Sequence, residues 1–261
     1  MEQSVKDQVA IVTGSAQGIG RAIALRLAQD GMHVVVADYQ EEGAQRVAKE
    51  IQALGRRSLA LAVDVTRADD RQRLFDTTLA ELGRFDALVN NAAIQRVALP
   101  LDVTEEHWDA VMNVNAKAVY FCCALALQHM LRQHSGRIVN MASLAGKAAS
   151  TPQHPVYNVS KAAVIAMTKT FALSYATEGV RINSVCPGII ETPMQDVVDQ
   201  QFASVTGKTP LQIRDERVGR IPMGRIGEAE DVASVVSFLI GPDSRYMTGQ
   251  SINVTGGMIT Y

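Results

Sequence analysis

The sequence contains little of what stabilises a small secreted protein or binds nucleic acid. Three of its 261 residues are cysteines, Cys122, Cys123 and Cys186, and their spacing matches neither a disulfide framework nor a zinc site. Aromatic residues make up 5% of the chain, and the formal net charge of -2 provides no basic field for nucleic acid. These absences favour an ordinary globular protein with buried, unreactive thiols.

Long apolar runs are also missing. The segment Met1–Asp7 is polar and charged and lacks the apolar stretch of a signal peptide. No uninterrupted run approaches the ~18 apolar residues typical of a membrane span. We therefore expect a cytoplasmic protein that binds neither nucleic acid nor membrane. The five histidines form no cluster with metal-ligand spacing, so we predict no metal site.

What the sequence does contain is a regular alternation of short apolar runs and longer amphipathic segments. Apolar runs of this kind are typical of strands that are covered on both faces. The predicted strands are Val9–Thr13, His33–Ala37, Leu59–Val63, Ala87–Asn90, Arg137–Met141, Arg181–Cys186 and Ser251–Val254. The predicted helices are Ile19–Gln29, Glu42–Leu54, Ala68–Leu82, Glu105–Gln133, Val156–Thr177 and Ala229–Ile240. The alternation predicts an α/β fold with a Rossmann-like, doubly wound, seven-stranded parallel sheet, in a single domain over residues 1–261.

The segment Met194–Met223 does not fit the alternation. It lies between a predicted strand and a predicted helix, and glycines and prolines interrupt it. It is too long for a plain connection, and long loops are often functional lids. We expect it to be a substrate lid.

A glycine-rich turn follows the first predicted strand, with the sequence Thr13-Gly14-Ser15-Ala16-Gln17-Gly18-Ile19-Gly20. Glycines allow a tight turn and a close approach to a pyrophosphate, and the next helix offers free N–H groups at its positive end. The spacing Gly-x-x-x-Gly-x-Gly differs from the commoner Gly-x-Gly-x-x-Gly fingerprint. A glycine turn without a ligand is the alternative, but the place between the first strand and the first helix favours a dinucleotide site.

Asp38 and Asp64 follow the second and third predicted strands. Asp38 lies near the ~20-residue spacing expected for an acid that binds the adenosine ribose hydroxyls. Its charge would repel a 2′-phosphate, and Tyr39 stands where a basic residue would favour NADP, so we predict NAD as the cofactor. Asp64 follows the third strand and is a candidate for the adenine amino group. Solvated aspartates at strand ends are the alternative for both.

Three polar residues suggest acid–base chemistry. Tyr157 and Lys161 share one helix face, and a nearby ammonium favours phenolate, which can accept the proton of an alcohol as hydride leaves its carbon. Lowering a phenol pKa from ~10 to ~7 needs about 4 kcal/mol. Ser143 follows the fifth predicted strand and could polarise a substrate oxygen. Each has an ordinary alternative: a packed Tyr, a snorkelling Lys and a Ser in a turn.

The order of the motifs resembles that of the short-chain dehydrogenase/reductase family along the whole chain. The matching elements are the glycine turn, Asn90-Asn91-Ala92, Asn115, Ser143, Tyr157-(x)3-Lys161 and Pro187-Gly188. The resemblance implies a catalytic Ser143, Tyr157 and Lys161, extended by Asn115, which kinks a helix and holds a water beside the lysine. Two positions depart from the family pattern: Ala93, where Gly is usual, and Thr255, where Asp is common.

The resemblance also implies a set of cofactor contacts. Besides Asp38 and Asp64 they comprise Gly14, Ser15, Gln17, Gly18, Ile19, Val65, Asn91, Ala92, Tyr157, Lys161, Pro187, Gly188, Ile190 and Thr192. It further implies a homotetramer packed through the predicted helices Glu105–Gln133 and Val156–Thr177.

The activity expected from these residues is hydride transfer between NAD and a secondary alcohol or its ketone. Polar residues after Pro187-Gly188, and a likeness of this stretch to polyol dehydrogenases and acetoin reductases, favour a small polyol, a sugar alcohol or an acetoin-like hydroxyketone. A 3-oxoacyl thioester reductase acting on an acyl carrier protein is the alternative. A catalytically silent nucleotide-binding protein is a further one, although the complete residue set argues against it. His154 is the one histidine that we expect near the substrate.

Overall fold

A seven-stranded parallel sheet forms the centre of the computed structural model, which describes residues 5–148 and 153–261, without the side chains of 204 and 205. The first four residues of the predicted domain and residues 149–152 lie outside that description. The strand order is β3-β2-β1-β4-β5-β6-β7. The strands are β1 Val9–Thr13, β2 His33–Asp38, β3 Ser58–Ala62, β4 Ala87–Asn90, β5 Gly136–Met141, β6 Val180–Pro187 and β7 Ser251–Val254. The prediction of a single Rossmann-like α/β domain is confirmed.

Helices cover both faces of this sheet. They are α1 Gly18–Gln29, α2 Glu41–Ala53, α3 Ala68–Leu82, α4 Glu105–Met112, α5 Ala118–Met130, α6 Pro155–Tyr175, α7 Pro193–Thr206, α8 Pro210–Val218 and α9 Ala229–Ile240. Every residue of β1 is buried, because one apolar cluster packs on each side of the sheet. The three cysteines belong to the buried interior, and burial raises the pKa of each thiol.

The predicted helix Glu105–Gln133 is interrupted. A π-helical turn, Asn113–Lys117, separates α4 from α5, and Asn115 lies within it. Such turns inside helices are frequent at functional sites, because they redirect a side chain that a regular helix would bury elsewhere. The continuous run Glu105–Met130 is long and apolar enough to cross a membrane, but half of its most apolar window is buried inside the fold. By length and composition alone this is weak support for a membrane span.

The segment Met194–Met223 is largely helical rather than an open loop. The Thr192 hydroxyl caps α7 by accepting from the Gln195 N–H, and Thr209 and Gln212 form a capping box at α8. A proline occupies the first turn of each helix, and Gly207 ends α7 with a φ of 71°. These residues are helix caps, although in the sequence they resemble loop punctuation.

The strand order places the candidate site. The chain winds outward in opposite directions from β1 and β4, so the loops after these strands diverge and leave a crevice at their carboxyl ends. The segments that follow β1, β4, β5 and β6 all meet at this crevice.

Candidate active site

A cleft of about 1050 Å³ lies at the carboxyl ends of the strands. It reaches from the loops after β2 and β3, across the glycine turn, to α7 and α8. Nearly every residue predicted for the site lines it, with two exceptions, Ser15 and Asn115. A single elongated cleft of this kind can hold a dinucleotide at one end and a substrate at the other.

The glycine turn is shaped by close backbone approaches. Gly14 has a φ of 63°, and a Cβ on it would lie 2.7 Å from the Cα of Ala92. A Cβ on Gly20 would collide with the carbonyl oxygen of Gly14. Gly18, with a φ of 55°, begins α1. Glycine is therefore required for this cradle, and the N–H groups of the first turn of α1 remain available to an anion.

Four hydrogen bonds connect the glycine turn to the segment after β4. The Thr13 hydroxyl accepts from the N–H groups of Asn91 and Ala92, at 3.0 and 3.1 Å. The Asn91 side chain donates to the carbonyl oxygens of Thr13 and Gly14, at 3.0 and 2.8 Å. Asn91 thus fixes the cleft floor through its side chain. Ser15 is fully buried and its hydroxyl donates to the carbonyl of Val12, so its contact with phosphate stays a prediction.

Asp38 lies at the other end of the cleft and is 6% exposed. Its carboxylate accepts from the N–H groups of Ala16 and Gln40, each at 2.9 Å, which fixes the charged group beside the glycine turn. Asp64 is exposed at the cleft edge, and one of its oxygens accepts from the Thr66 N–H and hydroxyl. Within the described residues, the cleft lining around these two acids contains no lysine or arginine.

The Ser143, Tyr157 and Lys161 side chains come together in the middle of the cleft. The Ser143 and Tyr157 hydroxyls are hydrogen-bonded, and Ser143 also accepts from the Ala145 N–H at 3.1 Å. The Lys161 ammonium donates to the carbonyl of Met141 at 2.7 Å and lies 5.6 Å from the centre of the Tyr157 ring. The loop after β5 and the first two turns of α6 thus supply one catalytic-type cluster.

The pKa values of this cluster differ from the sequence-based expectation of a low-pKa phenol. Desolvation raises the pKa of the Tyr157 phenol, and the hydrogen bond with Ser143 acts in the opposite direction. Desolvation lowers the pKa of Lys161 to about 8. The ammonium lies over the ring and binds a carbonyl, so its stabilisation of a phenolate is limited. Tyr157 is therefore protonated at neutral pH, which is the form that can donate a proton to a ketone oxygen.

Asn115 holds the segment that follows β4. Its Oδ1 accepts from the Ile94 N–H at 2.9 Å, and its Nδ2 donates to the Ile94 carbonyl at 2.8 Å. The same amide donates to the Ser160 hydroxyl at 3.1 Å, and Ser160 lies one residue before Lys161. Asn115 is fully buried and does not line the cleft, so in this structure it acts on the position of its neighbours.

The loop after β6 closes the middle of the cleft. Pro187 ends β6, and Gly188 allows close contact, because a Cβ there would lie 2.9 Å from the Cα of Thr255. Ile190 pairs with Gly227 in an isolated bridge, and Thr192 caps α7 while it lines the cleft. Of the two departures from the family pattern, Ala93 lines the cleft and Thr255 donates to the carbonyl of Ile259 at 3.3 Å.

Helices α7 and α8 present a largely apolar wall to the substrate end. The cleft is lined here by Met194, Val197, Val198, Phe202 and Ile213, and three of these form a small apolar cluster of their own. Many of the polar residues of the segment turn elsewhere. Asp199 pairs with Arg217 and accepts from the Gln195 amide at 2.7 Å.

Sequence reasoning missed two kinds of residue at this end. Gln95 lies beside His154, with its Nε2 2.9 Å from each ring nitrogen, and Phe202 packs against the same ring. Gln95 follows the Asn-Asn-Ala motif by three residues, so its place after β4 was a usable signal. Phe202 had no such signal, because the helix that carries it was read as a loop.

A family model and curated relatives both match this chain over nearly its entire length. A family model described as enoyl-(acyl carrier protein) reductase matches residues 14–259. The chain is 39% identical to the 3-oxoacyl-(acyl-carrier-protein) reductase of Thermotoga maritima, over 98% of this chain and 99% of that protein. It is 41% identical to the enzyme of the same name from Synechocystis sp., over 97% of this chain and 98% of that one.

Solved structures agree in fold and differ in cofactor. An NAD+-bound xylitol dehydrogenase is 30% identical with a TM-score of 0.94, over 98% of this chain and all of that one. An actinorhodin polyketide ketoreductase variant with NADPH is 33% identical with a TM-score of 0.94, over all of both chains.

The expectation of a polyol or an acetoin-like substrate is wrong. The full-length relatives at 39% and 41% identity are named 3-oxoacyl-(acyl-carrier-protein) reductases, which was the alternative. The physical reason lies in α7 and α8. Of the polar residues that suggested a hydroxyl-rich ligand, Thr192, Gln195 and Thr206 line the cleft, whereas Asp196, Asp199, Gln200, Gln201 and Thr209 do not.

The match of residues 14–259, the relatives that align over almost the entire chain, and the cleft with its Ser143, Tyr157 and Lys161 cluster agree with one another. The chain belongs to the short-chain dehydrogenase/reductase family and is an oxidoreductase that uses a nicotinamide cofactor.

Proposed function

We propose that this protein reduces the 3-oxo group of an acyl thioester carried on an acyl carrier protein. The observation that carries the proposal is the 39% and 41% identity, over nearly the full length of both chains, to reductases with that name. The apolar wall of α7 and α8 suits an acyl chain, because contact between the wall and the chain removes apolar surface of both from water. The expected reaction is conversion of a 3-oxoacyl thioester into the 3-hydroxyacyl thioester.

The residues of the cleft fit a nicotinamide dinucleotide. The glycine turn leaves no room for a Cβ at Gly14 or Gly20, and the half of the cleft beyond it ends at the buried carboxylate of Asp38. Asp38 would accept hydrogen bonds from the ribose hydroxyls, whereas a 2′-phosphate would meet its charge with no cation in the described lining nearby. We therefore propose NADH as the preferred cofactor, unlike the NADPH of the polyketide ketoreductase structure.

The bound nicotinamide supplies the hydride, and the residues of the chain supply the proton and the positioning. The Tyr157 hydroxyl, protonated at neutral pH, donates its proton to the ketone oxygen as that oxygen gains charge. The Ser143 hydroxyl, which the Ala145 N–H holds in place, stabilises the same oxygen by a hydrogen bond. Lys161 lies beside Tyr157 in the cleft lining, where it supplies positive charge and would hold the ribose of the nicotinamide.

The outer end of the substrate cleft has the charge expected for an acidic carrier. Lys208, Arg217 and Arg220 line it together with Glu216. Lys208 pairs with Glu216 at 2.6 Å, and Arg217 pairs with Asp199, so Arg220 is the cation of this group without a partner among the described residues. A phosphate-bearing thioester arm entering between α7 and α8 would meet these groups.

A homotetramer is the proposed assembly, in a cytoplasmic enzyme. Large apolar side chains are exposed on the two helical segments expected at the interface: Trp108, Tyr120 and Phe121 on one, Val159 and Leu173 on the other. Exposed apolar faces of this extent favour burial against another copy.

The test uses purified protein with acetoacetyl-pantetheine or acetoacetyl-carrier protein and NADH, followed by the loss of NADH absorbance. The proposal requires the thioester to have the highest kcat/KM in a panel that also holds crotonyl thioester, acetoin and sorbitol with the matching cofactor. Preference for the crotonyl thioester would mean reduction of a carbon–carbon double bond instead. Inactivity with every thioester would overturn the proposed function.

A further inference from the structure

Gln95 and His154 form a polar pair within the substrate end of the cleft. His154 precedes α6 and is 4% exposed, and it lines the cleft together with Gln95. The Gln95 Nε2 lies 2.9 Å from each nitrogen of the His154 ring. The proton and hydride transfers described above require neither residue. His154 is buried and Gln95 is half-buried, and a buried polar ring is costly unless its hydrogen bonds are satisfied, so a specific use of the pair is expected.

Within the described residues, one N–H donor of the Gln95 amide has no hydrogen-bond partner. Burial lowers the pKa of His154 to about 4, so the ring is neutral, with one N–H and one acceptor nitrogen. The Arg96 backbone accepts from the ring, which leaves the second nitrogen to accept from the Gln95 amide. An amide has two N–H donors, and within the described residues Gln95 has no partner other than His154. The second N–H of Gln95 is therefore available to a ligand oxygen in the cleft.

The pair lies next to the reacting centre. The centre of the His154 ring is 6.3 Å from that of Tyr157 and 4.9 Å from that of Phe202. The imidazole is thus placed between the proton donor and the α7 wall. A ligand whose ketone oxygen contacts Tyr157 and Ser143 would bring the neighbouring atoms of its chain to this pair.

We propose that the Gln95–His154 pair is the subsite for a second carbonyl oxygen, the thioester carbonyl of a 3-oxoacyl substrate. This inference rests on the proposed function. A single methylene separates the two carbonyl carbons of such a substrate, so both oxygens lie within one small region of the cleft. Gln95 donates to the thioester oxygen, and His154 is a positioning residue that orients the amide. The pair accordingly distinguishes 3-oxoacyl thioesters from ketones that lack the second carbonyl.

The experiment compares two substrates that differ only in that carbonyl. Acetoacetyl-N-acetylcysteamine contains the thioester, whereas S-(3-oxobutyl)-N-acetylcysteamine has a methylene in its place and the same ketone and thiol arm. The measured quantity is the ratio of their kcat/KM values with NADH, in the wild-type protein and in each variant. Differences in intrinsic reactivity between the two substrates cancel when the ratios of variant and wild type are compared.

Gln95→Met removes the amide at similar volume and is expected to lower the ratio about tenfold, since the lost hydrogen bond affects one substrate alone. His154→Phe keeps the ring packing and is expected to lower the ratio at least threefold, while the double variant matches Gln95→Met. His154→Gln can still accept from Gln95 and is expected to retain most of the ratio. Gln72→Met is the matched control, because Gln72 is exposed on α3 outside the cleft lining and its amide donates to Asp76; its ratio should stay within twofold of wild type.

Equal losses with both substrates would show that the pair only supports the fold, and unchanged ratios would show that it does not contact the substrate; either result overturns the inference. Far-UV circular dichroism and NADH titration of each variant identify a protein that fails to fold. If Gln95→Met is such a protein, the threefold loss of the ratio expected for His154→Phe decides. If wild-type protein reduces the thioether ketone but not the thioester, the proposed function fails. A thioester reductase with unchanged ratios in the variants keeps that function and loses this subsite.

Discussion

Asn115 binds the main chain of Ile94 in both directions, accepting from its N–H at 2.9 Å and donating to its carbonyl at 2.8 Å. The π-helical turn between α4 and α5 directs this side chain away from a regular helical path. The segment that precedes Gln95 is therefore anchored to the helix that packs beside α6. The buried amide of Asn115 therefore fixes the position of the segment after β4 relative to α6.

Asn115→Leu should destabilise the protein and reduce its turnover together. The substitution leaves the N–H and carbonyl of Ile94 without partners, and each such buried group costs about 1–3 kcal/mol. Urea unfolding is expected to show a loss of about 2–4 kcal/mol in the free energy of unfolding. Asn113→Ala, in the same π turn but without a side-chain hydrogen bond to the described residues, should change stability by less than about 1 kcal/mol. Similar losses in both variants would contradict the assigned role of Asn115.

Tyr157→Phe should abolish turnover and leave cofactor binding intact. The hydroxyl provides the proton transfer, and general acid catalysis contributes about 10²–10⁴-fold. The measurements are kcat with acetoacetyl thioester and NADH affinity by fluorescence titration. Tyr175→Phe, at the far end of α6 and outside the cleft lining, is the control and should keep near-normal turnover. Near-normal turnover of Tyr157→Phe would disprove the acid role.

Asp38→Ser should narrow the preference for NADH over NADPH. Removing the carboxylate ends its repulsion of a 2′-phosphate, which is worth up to about 3 kcal/mol for a unit-charge pair at ~5 Å and an effective dielectric of about 20. The change is measured as the ratio of kcat/KM values for the two cofactors, and a shift of at least tenfold is expected. Asp76→Ser, on the outer surface of α3, provides the charge-matched control. A wild-type protein that prefers NADPH would refute the cofactor proposal at the outset.

The free energy of unfolding should decrease as the pH falls through the range in which His154 titrates. Burial and the nearby Arg217 charge lower the pKa of the folded-state ring from 6.5 to about 4. Between these values the unfolded chain binds a proton that the folded chain does not, so the free energy of unfolding falls as the pH drops from about 6.5 to about 4. The full loss amounts to about 3 kcal/mol for one residue.

Urea unfolding of wild type and His154→Phe at pH 7.5 and pH 4.5 measures this effect. The variant lacks the titrating ring, so its loss on acidification should be smaller by about 2–3 kcal/mol. His134→Asn, which changes an exposed histidine with a φ of 49° to a residue that tolerates that conformation, should keep the wild-type dependence. Equal acid sensitivity of wild type and His154→Phe would contradict the assigned protonation state.

Leu173→Asp should disrupt the proposed tetramer. Leu173 is 84% exposed on α6 and belongs to the apolar face expected at the subunit interface. A carboxylate buried without a partner in an interface is strongly unfavourable, so sedimentation velocity should detect smaller species than for wild type. Leu173 is exposed in the single chain, so the monomer fold should persist by circular dichroism. A wild-type protein that sediments as a monomer would remove the basis of this proposal.

The sequence by itself determined the strands, most helices and the family motifs, because these depend on local patterns. The strand β1 is a continuous apolar run, and Tyr157 and Lys161 are one helical turn apart whatever surrounds them. Asp38 and the glycine turn are likewise separated by a fixed length of one βαβ unit. For these features the physical cause lies within a short stretch of the chain, from one helical turn to one βαβ unit, so the pattern was sufficient.

The tertiary structure decided what depends on residues far apart in the chain. Gln95 meets His154 only because the segments after β4 and β5 converge, and the capped helices α7 and α8 turn Val198, Phe202 and Ile213 toward the cleft. The polar composition of that segment suggested a hydroxyl-rich ligand, but composition does not specify which side of a helix faces the site. The protonation of Tyr157 also followed from desolvation and from the position of Lys161, which are properties of the packed cleft rather than of the motif.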